Sequence, residues 1–396
     1  IQPGSVFKMV TALAALEKGM DPYKTIRDMG YVQFGGKSIG CWYWNSYRRT
    51  HGATNLYDAI RDSCNYYFYS LALGYNQKTG ESVGVTLTID DIADMAKKLG
   101  LNDRTGIEID IPREASGGVP NPQSKIMITQ VLLRNYLKTY IRDYIKEGEE
   151  FTDKEIEEKI ETIVSWVEKE NALSRNEVIQ RLDEMGIEPE KPLPGEREGL
   201  ADKIKYTYLN YAGWNITDTI YITIGQGQSS YTPVQIANYI ATIANGGYKN
   251  QLTVIDSIKN YDNTKTIYER EVQSERIELN NYENLEHVKK GMRKVVTEGS
   301  VRSVFKDFPI SVAAKTGTAQ RDGINPVTGD TYDDYAWFVA FAPYEDPEIA
   351  ISIVLFQGGT GGNAAPIARE IIAEYFGLND IYVEEQLPFE NELESR

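Results

Sequence analysis

Apolar residues recur at helical spacing from the first turn of the chain. Val6, Val10 and Leu13 lie three or four positions apart, directly after the segment Pro3-Gly4-Ser5. This spacing predicts a helix with one buried face, and Gly19 stands where a left-handed C-terminal cap favours glycine. Because a buried helix normally packs against structure on its upstream side, we expect part of the fold to precede residue 1.

Capping residues and apolar stripes predict three more helices in the parts of the chain that flank a polar middle segment. These helices lie at residues 86–100, 232–247 and 364–376. The second has the clearest start, because Thr232 can cap it and Pro233 occupies its first turn. A glycine- and proline-rich loop at residues 105–120 carries a predicted short strand at Ile107 to Ile111.

The middle segment, residues 123–198, has a different composition. One part of this segment has the pattern of an amphipathic helix, with an apolar stripe on one face and mostly Glu and Lys on the other. The stripe consists of Ile156, Ile160, Ile163, Val164 and Val167. The run Lys191 to Gly195 then breaks the helical pattern. We interpret 123–198 as a helical insertion into a domain formed by residues 1–122 and 199–396. A docking surface for a partner is the alternative use of its acidic face.

Strand patterns replace helical ones near the end of the chain. Three β-rich runs, Pro309 to Gln320, Tyr335 to Ala342 and Glu348 to Phe356, are separated by turn residues. This pattern predicts an antiparallel meander. A sheet flanked by helices from both ends of the chain defines an α/β sandwich.

Charge and composition exclude several classes of function. The 396 residues carry 42 Lys and Arg against 58 Asp and Glu, a formal net charge of −16, which argues against nucleic acid or an anionic membrane as the main partner. The longest apolar run, Ile349 to Phe356, is far short of the roughly 20 residues that span a bilayer, and no signal peptide opens the chain. We expect any membrane anchor to lie outside this sequence.

The first candidate chemistry is a nucleophilic serine activated by lysine. His51 and His287 are the only imidazoles in the sequence, whereas Ser5 and Lys8 lie one helical turn apart and therefore share a face. A desolvated lysine can be neutral enough to accept the serine proton. The helix N-terminus also points backbone N–H groups towards Ser5, which suits a developing oxyanion.

Two further motifs complete a known set for acyl transfer by serine. They are Ser63-Cys64-Asn65 and Lys315-Thr316-Gly317. The chain also holds a decoy of each motif, and the decoys are Ser303-Val304-Phe305-Lys306, Ser174-Arg175-Asn176 and Lys78-Thr79-Gly80. Context favours the first set, because Ser5 opens a long apolar helix and Lys315 lies in a predicted strand that could pair with an extended substrate.

In this order the motifs resemble those of the penicillin-binding protein transpeptidase family. The resemblance also covers Thr105-Gly106-Ile107, Ile224 to Gly227 and Ala336-Trp337-Phe338, and it excludes only residues 123–198. The chain is most similar to the class B, monofunctional members, especially the penicillin-binding protein 2 group of the cell-elongation machinery. The resemblance implies the penicillin-binding protein and serine β-lactamase type of fold.

The resemblance implies a role for each motif residue. Ser5 would attack a peptidoglycan stem peptide at its penultimate D-alanine, and β-lactams would acylate the same serine. Lys8 would be the base, Ser63 would relay a proton to the leaving group, and Asn65 would hold Lys8 and the substrate amide. The segment Lys315-Thr316-Gly317-Thr318 would bind the substrate. Lys315 would keep the local field positive, and Thr316 and Thr318 would bind the substrate carboxylate. The backbone N–H groups of Ser5 and Thr318 would form the oxyanion hole.

The two cysteines suggest a second site. Cys41, His51 and Cys64 are ligand types that zinc selects, and a carboxylate would complete a tetrahedral set. The cluster resembles a zinc site that some elongation-type penicillin-binding proteins have beside the serine-asparagine motif, and this resemblance implies Asp28 as the fourth ligand. Asp58 and Asp62 are closer to His51 in the sequence. A Cys41–Cys64 disulfide and two buried free thiols are the alternatives.

Three functions remain compatible with these motifs. The first is a D,D-transpeptidase, expected to be membrane-anchored, to act outside the cytoplasm and to work beside a membrane-embedded glycan polymerase. The second is a D,D-carboxypeptidase or β-lactamase, although the glutamate motif of class A β-lactamases is absent because Arg276 occupies that place. The third is a β-lactam or muropeptide sensor that acylates without cross-linking.

Overall fold

The computed structural model describes residues 1–108, 114–168, 173–321, 323–325 and 328–378. The chain divides into two compact units, one formed by residues 1–119 and 219 onward, the other by residues 120–218. The predicted insertion at 123–198 lies inside the second unit, which continues to Asp218. The predicted strand at Ile107–Ile111 falls mainly on residues 109–113, outside the described residues.

The first part of unit 1 begins with a 3₁₀ turn, Gly4–Phe7, that runs directly into a helix. Its helices are α1 (Lys8–Glu17), α2 (Trp42–Tyr47), α3 (Leu56–Arg61), α4 (Asn65–Leu73) and α5 (Ile89–Lys98). Its short strands are β1 (Ile26–Arg27), β2 (Tyr31–Phe34), β3 (Lys37–Gly40) and β4 (Ala53–Thr54). Helix α1 is buried on every side, because it packs against α4, α5 and the later helix at Glu283–Thr297.

Unit 2 is helical and has its own core. Its helices are α6 (Pro122–Tyr140), α7 (Asp153–Ser165), α8 (Arg175–Glu184), α9 (Leu200–Asp202) and α10 (Asn210–Ala212), with a π-helix at Lys203–Leu209. Reciprocal capping boxes at Asn121, Thr152 and Ser174 start the three long helices. The predicted apolar stripe of α7 is buried in the core of this unit.

The second part of unit 1 completes the domain. Its helices are α11 (Ile216–Thr223), α12 (Pro233–Ala244), α13 (Glu283–Thr297), α14 (Arg302–Phe305) and α15 (Ala365–Tyr375). Its strands are β5 (Tyr248–Asn250), β6 (Ser257–Lys259), β7 (Thr266–Glu269), β8 (Ser274–Arg276), β9 (Ala313–Ala319), β10 (Tyr335–Ala342) and β11 (Ile349–Leu355). The capped helix predicted from Thr232-Pro233 is therefore α12, with the expected capping box.

Strands β9 to β11 form the predicted antiparallel meander, in the spatial order β11-β10-β9. Strand β10 is almost wholly buried between its neighbours, and Val339 pairs with Lys315 on one side and Ser352 on the other. Helix α13 packs against β9, whereas α12 packs against β10 and β11. This arrangement places β9 beside the 3₁₀ turn that carries Ser5.

Among the described residues, no helix is both long and apolar enough to cross a membrane.

Candidate active site

Lys8 is the centre of the site. It begins α1, its side chain is fully buried, and Ser5 precedes it by one turn. Its Nζ donates to Asn65 Oδ1 at 2.6 Å, to the Ser63 carbonyl oxygen at 2.8 Å and to Ser63 Oγ at 3.0 Å. The structure thus brings the first two predicted motifs together, although more than 50 residues separate them in the sequence.

The surroundings of Lys8 change its acidity. Burial lowers the pKa of Lys8 to about 7, and negative charge on Cys41 and Cys64 opposes the shift. Burial therefore favours the uncharged Lys8 amine, which is the form that can accept a proton.

Ser63 has a backbone conformation that few non-glycine residues adopt. Its φ is +54°, in the left-handed region, where it joins the end of α3 to the start of α4. The Cys64 N–H donates to the Ala59 carbonyl oxygen at 3.0 Å, which closes this tight turn. Strained backbone of this kind clusters at functional sites, and here it directs the Ser63 carbonyl and hydroxyl oxygens to the Lys8 amine.

Strand β9 brings the third predicted motif. Lys315 is fully buried, and its Nζ donates to the Thr316 carbonyl oxygen at 2.7 Å. Burial lowers the pKa of Lys315 well below its usual value, and the charge of Lys8 adds to the shift. Thr316 and Thr318 are half-buried and, two positions apart on a strand, share one face. All three motifs therefore meet where α1, the Ser63 turn and β9 converge.

Glycines allow the first turn of the chain to lie against β9. The Gly4 φ is +55°, and a Cβ atom there would collide with the Thr318 carbonyl oxygen. A Cβ at Gly317 would lie 2.8 Å from Val6 Cγ1. Two further contacts hold this junction: the Gly4 N–H donates to the Gly225 carbonyl oxygen at 3.0 Å, and Gln226 Nε2 donates to the Thr318 carbonyl oxygen at 3.3 Å. We predicted no role for Gly4 from the sequence, although it directly precedes Ser5.

The three decoy motifs lie in other environments. Ser174 caps α8 by accepting from the Glu177 N–H. Ser303 lies in the short helix α14, and Lys78 places its amine 4.2 Å from the centre of the Tyr31 ring.

Asp28, Cys41, His51 and Cys64 form the predicted ligand cluster beside the Ser63 turn. One ligand atom from each residue lies within 4.8 Å of all the others. His51 Nδ1 is 2.8 Å from Asp28 Oδ2 and 3.6 Å from Cys41 Sγ, and Cys64 Sγ is 3.6 Å from Asp28 Oδ2. Asp58 and Asp62, the carboxylates closer to His51 in sequence, are paired with Arg61 instead. Both cysteines are free thiols in the structure.

The acid–base properties of this cluster indicate a shortage of positive charge. Burial opposes ionisation of Cys41, but hydrogen bonds from Cys64 and His51 lower the pKa of this thiol to about 5. Burial also disfavours the charged form of His51, but hydrogen bonds to Asp28 and Cys41 raise its pKa to about 9. The proton on His51 is thus stabilised by the anionic groups around it, as a metal cation would be.

The donor set fits zinc. A tetrahedral zinc ion with bonds of about 2.0–2.3 Å separates its ligand atoms by about 3.3–3.8 Å. The two sulfur contacts at 3.6 Å lie in this range, and the shorter His51–Asp28 distance is that of a hydrogen bond whose proton a metal would replace. His51 Nε2 is buried without a hydrogen-bond partner. Among the described residues this is the one group of three or more His, Cys, Asp and Glu side chains close enough to hold a metal ion.

Comparison with known families agrees with this geometry. The model of the penicillin binding protein transpeptidase domain matches residues 1–139 and 175–373. This chain belongs to the penicillin-binding protein transpeptidase family. The internal segment between the two matched ranges, residues 140–174, lies inside unit 2.

Relatives and solved structures support the same class B group. The chain is 25% identical over 380 residues to the peptidoglycan D,D-transpeptidase MrdA of Acinetobacter baumannii, covering 93% of this chain and 41% of that protein. It is 32% identical over 187 residues to MrdA of Haemophilus influenzae, covering 44% of this chain and 27% of that protein. The chain therefore spans less than half the length of these relatives.

Solved structures share the fold. Penicillin-binding protein 2 of Helicobacter pylori, in complex with MreC, superposes with a TM-score of 0.60 at 22% identity, covering 96% of this chain and 50% of that one. Penicillin-binding protein 2 of Pseudomonas aeruginosa, in complex with WCK 5153, gives a TM-score of 0.59 at 22% identity, covering 94% and 60%. The expected transpeptidase fold is thereby confirmed.

Proposed function

We propose that this domain is a peptidoglycan D,D-transpeptidase, which joins two stem peptides through an acyl-enzyme on Ser5 and which β-lactams acylate at the same residue. One observation carries the proposal. The buried, partly neutral amine of Lys8 lies one turn after Ser5 and is held by Ser63 and Asn65. The names of the MrdA relatives support the same reaction.

The first half-reaction forms the acyl-enzyme. Neutral Lys8 accepts the Ser5 hydroxyl proton as Ser5 Oγ bonds to the carbonyl carbon of the penultimate D-alanine. The N–H groups of Ser5 and Thr318 stabilise the oxyanion. When the carbon–nitrogen bond breaks, the terminal D-alanine leaves with a proton that Lys8 passes through Ser63 Oγ, 3.0 Å away. Thr316 and Thr318 hold the substrate carboxylate, and Lys315, whose charged form burial disfavours, donates to the Thr316 carbonyl oxygen beside them.

The second half-reaction transfers the acyl group. An amine of a neighbouring stem peptide loses its proton to Lys8 through the same route and attacks the ester carbonyl. The bond to Ser5 Oγ breaks as Lys8 returns the proton to that oxygen, which restores Ser5 and leaves a new amide bond. Asn65 holds Lys8 in place during both steps. The domain would act at the outer face of a bacterial cell membrane beside a glycan polymerase. The H. pylori relative, whose solved complex contains MreC, supports an association with elongation proteins.

The direct test of this function mixes a pentapeptide donor with a stem peptide whose side-chain amine is free. We expect a cross-linked product and one released D-alanine per bond, detected by mass spectrometry. Release of D-alanine without a cross-link would identify a carboxypeptidase, and acylation by penicillin without any turnover of peptide would identify a sensor.

The pH dependence of acylation follows from Lys8. Because its pKa is lowered from 10.5 to about 7, the neutral base is lost as the pH falls through 7. We expect the second-order rate of penicillin acylation to rise about tenfold per pH unit below 6 and to level off above 8. Stopped-flow acylation across this range measures the profile. A rate that still climbs towards pH 10 would mean that Lys8 has an ordinary pKa or is not the base.

We also propose that Asp28, Cys41, His51 and Cys64 hold a structural zinc ion. The metal would supply the positive charge that the cluster lacks and would complete a closed, four-ligand site without taking part in the reaction. Its effect on function would be indirect, because Cys64 is the middle residue of the Ser63-Asn65 motif and its position fixes the left-handed Ser63 turn.

Metal removal should therefore affect both stability and acylation. We expect a strong chelator to lower the melting temperature and to slow penicillin acylation, and we expect stoichiometric zinc to restore both. The matched control is His51→Ala, which should be slow without chelator and insensitive to it. A metal-free preparation with full stability and full acylation would contradict the zinc proposal, whereas an oxidised Cys41–Cys64 pair in its mass spectrum would favour the disulfide.

A further inference from the structure

Helix α2 and the residues after it form an exposed aromatic and basic surface beside the Ser63 turn. We define the α2 ledge as Trp42, Tyr43, Tyr47, Arg48 and Arg49. Trp42 is 41% exposed and Tyr47 61% exposed, and every residue from Asn45 to Thr50 is exposed. None of the α2 residues is buried, although Trp44 packs against the Tyr31 ring.

The rings of the ledge pack against one another. The Tyr43 and Tyr47 ring centroids are 5.3 Å apart, as are those of Trp42 and Tyr43, and Trp42 and Tyr47 meet edge to face at 6.4 Å. Tyr43 also lies 4.9 Å from the His51 ring, which ties the cluster to the body of the domain. Aromatic side chains held in this way offer rigid contact area at little entropic cost.

Two cations extend the ledge. Within the described residues, neither Arg48 nor Arg49 lies within ion-pair distance of a carboxylate, in a chain whose net charge is −16. Other arginines of this domain, such as Arg61, are paired with acids. Arg48 also has a φ of +53°, in the left-handed region where glycine or asparagine is the usual choice. The Arg48 side chain thus leaves the body of the domain from a left-handed C-terminal cap of α2.

The ledge is continuous with the proposed active site. Trp42 Nε1 donates to the Asp62 carbonyl oxygen at 3.0 Å, and Asp62 directly precedes Ser63. The Asp62 carboxylate accepts from Arg61 Nε at 2.8 Å and from Arg61 Nη2 at 2.7 Å, so it is neutralised locally. Trp42 of the ledge thus contacts the residue that directly precedes Ser63.

We propose that the α2 ledge binds an uncross-linked glycan strand with acidic stem peptides, at a part of the strand remote from the reacting bond. The carboxylates would pair with Arg48 and Arg49, and the sugar or peptide would pack on Tyr47 and Trp42. This inference rests on the proposed function and names how that site would select its polymeric substrate. Binding at a remote part of a substrate adds specificity that a small β-lactam cannot use.

The test separates polymer binding from acylation. Binding of soluble glycan strands with pentapeptide stems is measured in the Ser5→Ala background, where no covalent step can follow. We expect Arg48→Gly/Arg49→Ala to weaken binding at least about tenfold and Tyr47→Ala to weaken it as well. Glycine at position 48 also relieves the left-handed strain, so this variant should fold. The double change to lysine should retain part of the affinity and its sensitivity to added salt.

Three controls decide the outcome. Arg302→Ala/Tyr261→Ala, which removes an exposed arginine and an exposed tyrosine elsewhere, should bind the strands normally. With Ser5 intact, penicillin should acylate the ledge variants within about twofold of the wild-type rate, since the α2 ledge lies outside the acylation machinery. Equal binding by the ledge variant and its parent, or equal binding of neutral chitin oligosaccharides, would overturn the proposal. Failure of penicillin to acylate the wild-type domain would instead contradict the proposed function.

Discussion

Replacing Lys8 by methionine is expected to reduce penicillin acylation by about 10³-fold. Methionine matches the volume of the lysine stem but cannot accept the Ser5 proton, and it removes the three hydrogen bonds from Nζ to Ser63 and Asn65. The loss should fall on the acylation rate constant, since in the proposed mechanism β9 makes the reversible contacts with the β-lactam. The measurement is the rate of acylation at saturating penicillin, with the melting temperature as a check on folding.

The variant Lys8→Arg tests whether the reaction needs a proton acceptor at position 8 or only a positive charge. Arginine retains the charge and the donors but stays protonated throughout the accessible pH range. We therefore expect Lys8→Arg to be as slow as Lys8→Met and to show no rise in rate with pH. An arginine variant that keeps most of its activity would mean that the charge of Lys8, and not its neutral amine, is what the reaction uses.

Replacing Ser5 by alanine is expected to have the largest effect, a complete loss of the covalent adduct and of cross-linking. Ser5 lies in a 3₁₀ turn where its backbone N–H is part of the proposed oxyanion hole, and alanine preserves that backbone. The variant should therefore fold and still bind stem peptides reversibly. The product to be measured is the cross-linked peptide, and trace product above the background of the assay would indicate a second nucleophile.

Much of the frame around this site follows from the sequence because it depends on local periodicity. The helix at α1, the capped helix α12 and the three strands β9 to β11 were all indicated by spacing and turn residues, within a few residues of their ends. The predicted run Pro309 to Gln320 is shorter in the structure, where β9 covers Ala313–Ala319. Strand ends of this kind depend on pairing with a neighbour, which single-chain patterns do not encode.

The geometry of the site depends on contacts that no local pattern contains. The Lys8 amine reaches atoms of Ser63 and Asn65, 55 and 57 positions away. The left-handed backbone conformation of Ser63 could not be predicted from the sequence either, because serine seldom adopts it unless the surrounding fold imposes it. The need for glycine at position 4 arises from the close approach of β9, which no local pattern shows.

The elements that local sequence patterns did not predict include the helices α4 and α13 and several strands that are short or exposed. Strands β1 to β4 have two to four residues each, and the β6-β7 pair exposes side chains on both faces, so neither shows a clear alternation of apolar and polar positions. Residues 199–218 of unit 2 lack the apolar stripe and acidic face that marked the predicted insertion, and they contain the π-helix Lys203–Leu209.

The intact mass of the protein after incubation with penicillin tests the central claim most directly. It should be compared for the wild type, Ser5→Ala and Ser303→Ala, the last of which removes the serine of the decoy motif. We predict a single stable adduct, one penicillin per chain, on the wild type and on Ser303→Ala, mapping to the peptide that contains Ser5, and no adduct on Ser5→Ala. An adduct that persists in Ser5→Ala, or one that disappears in Ser303→Ala, would contradict the assignment of Ser5 as the nucleophile.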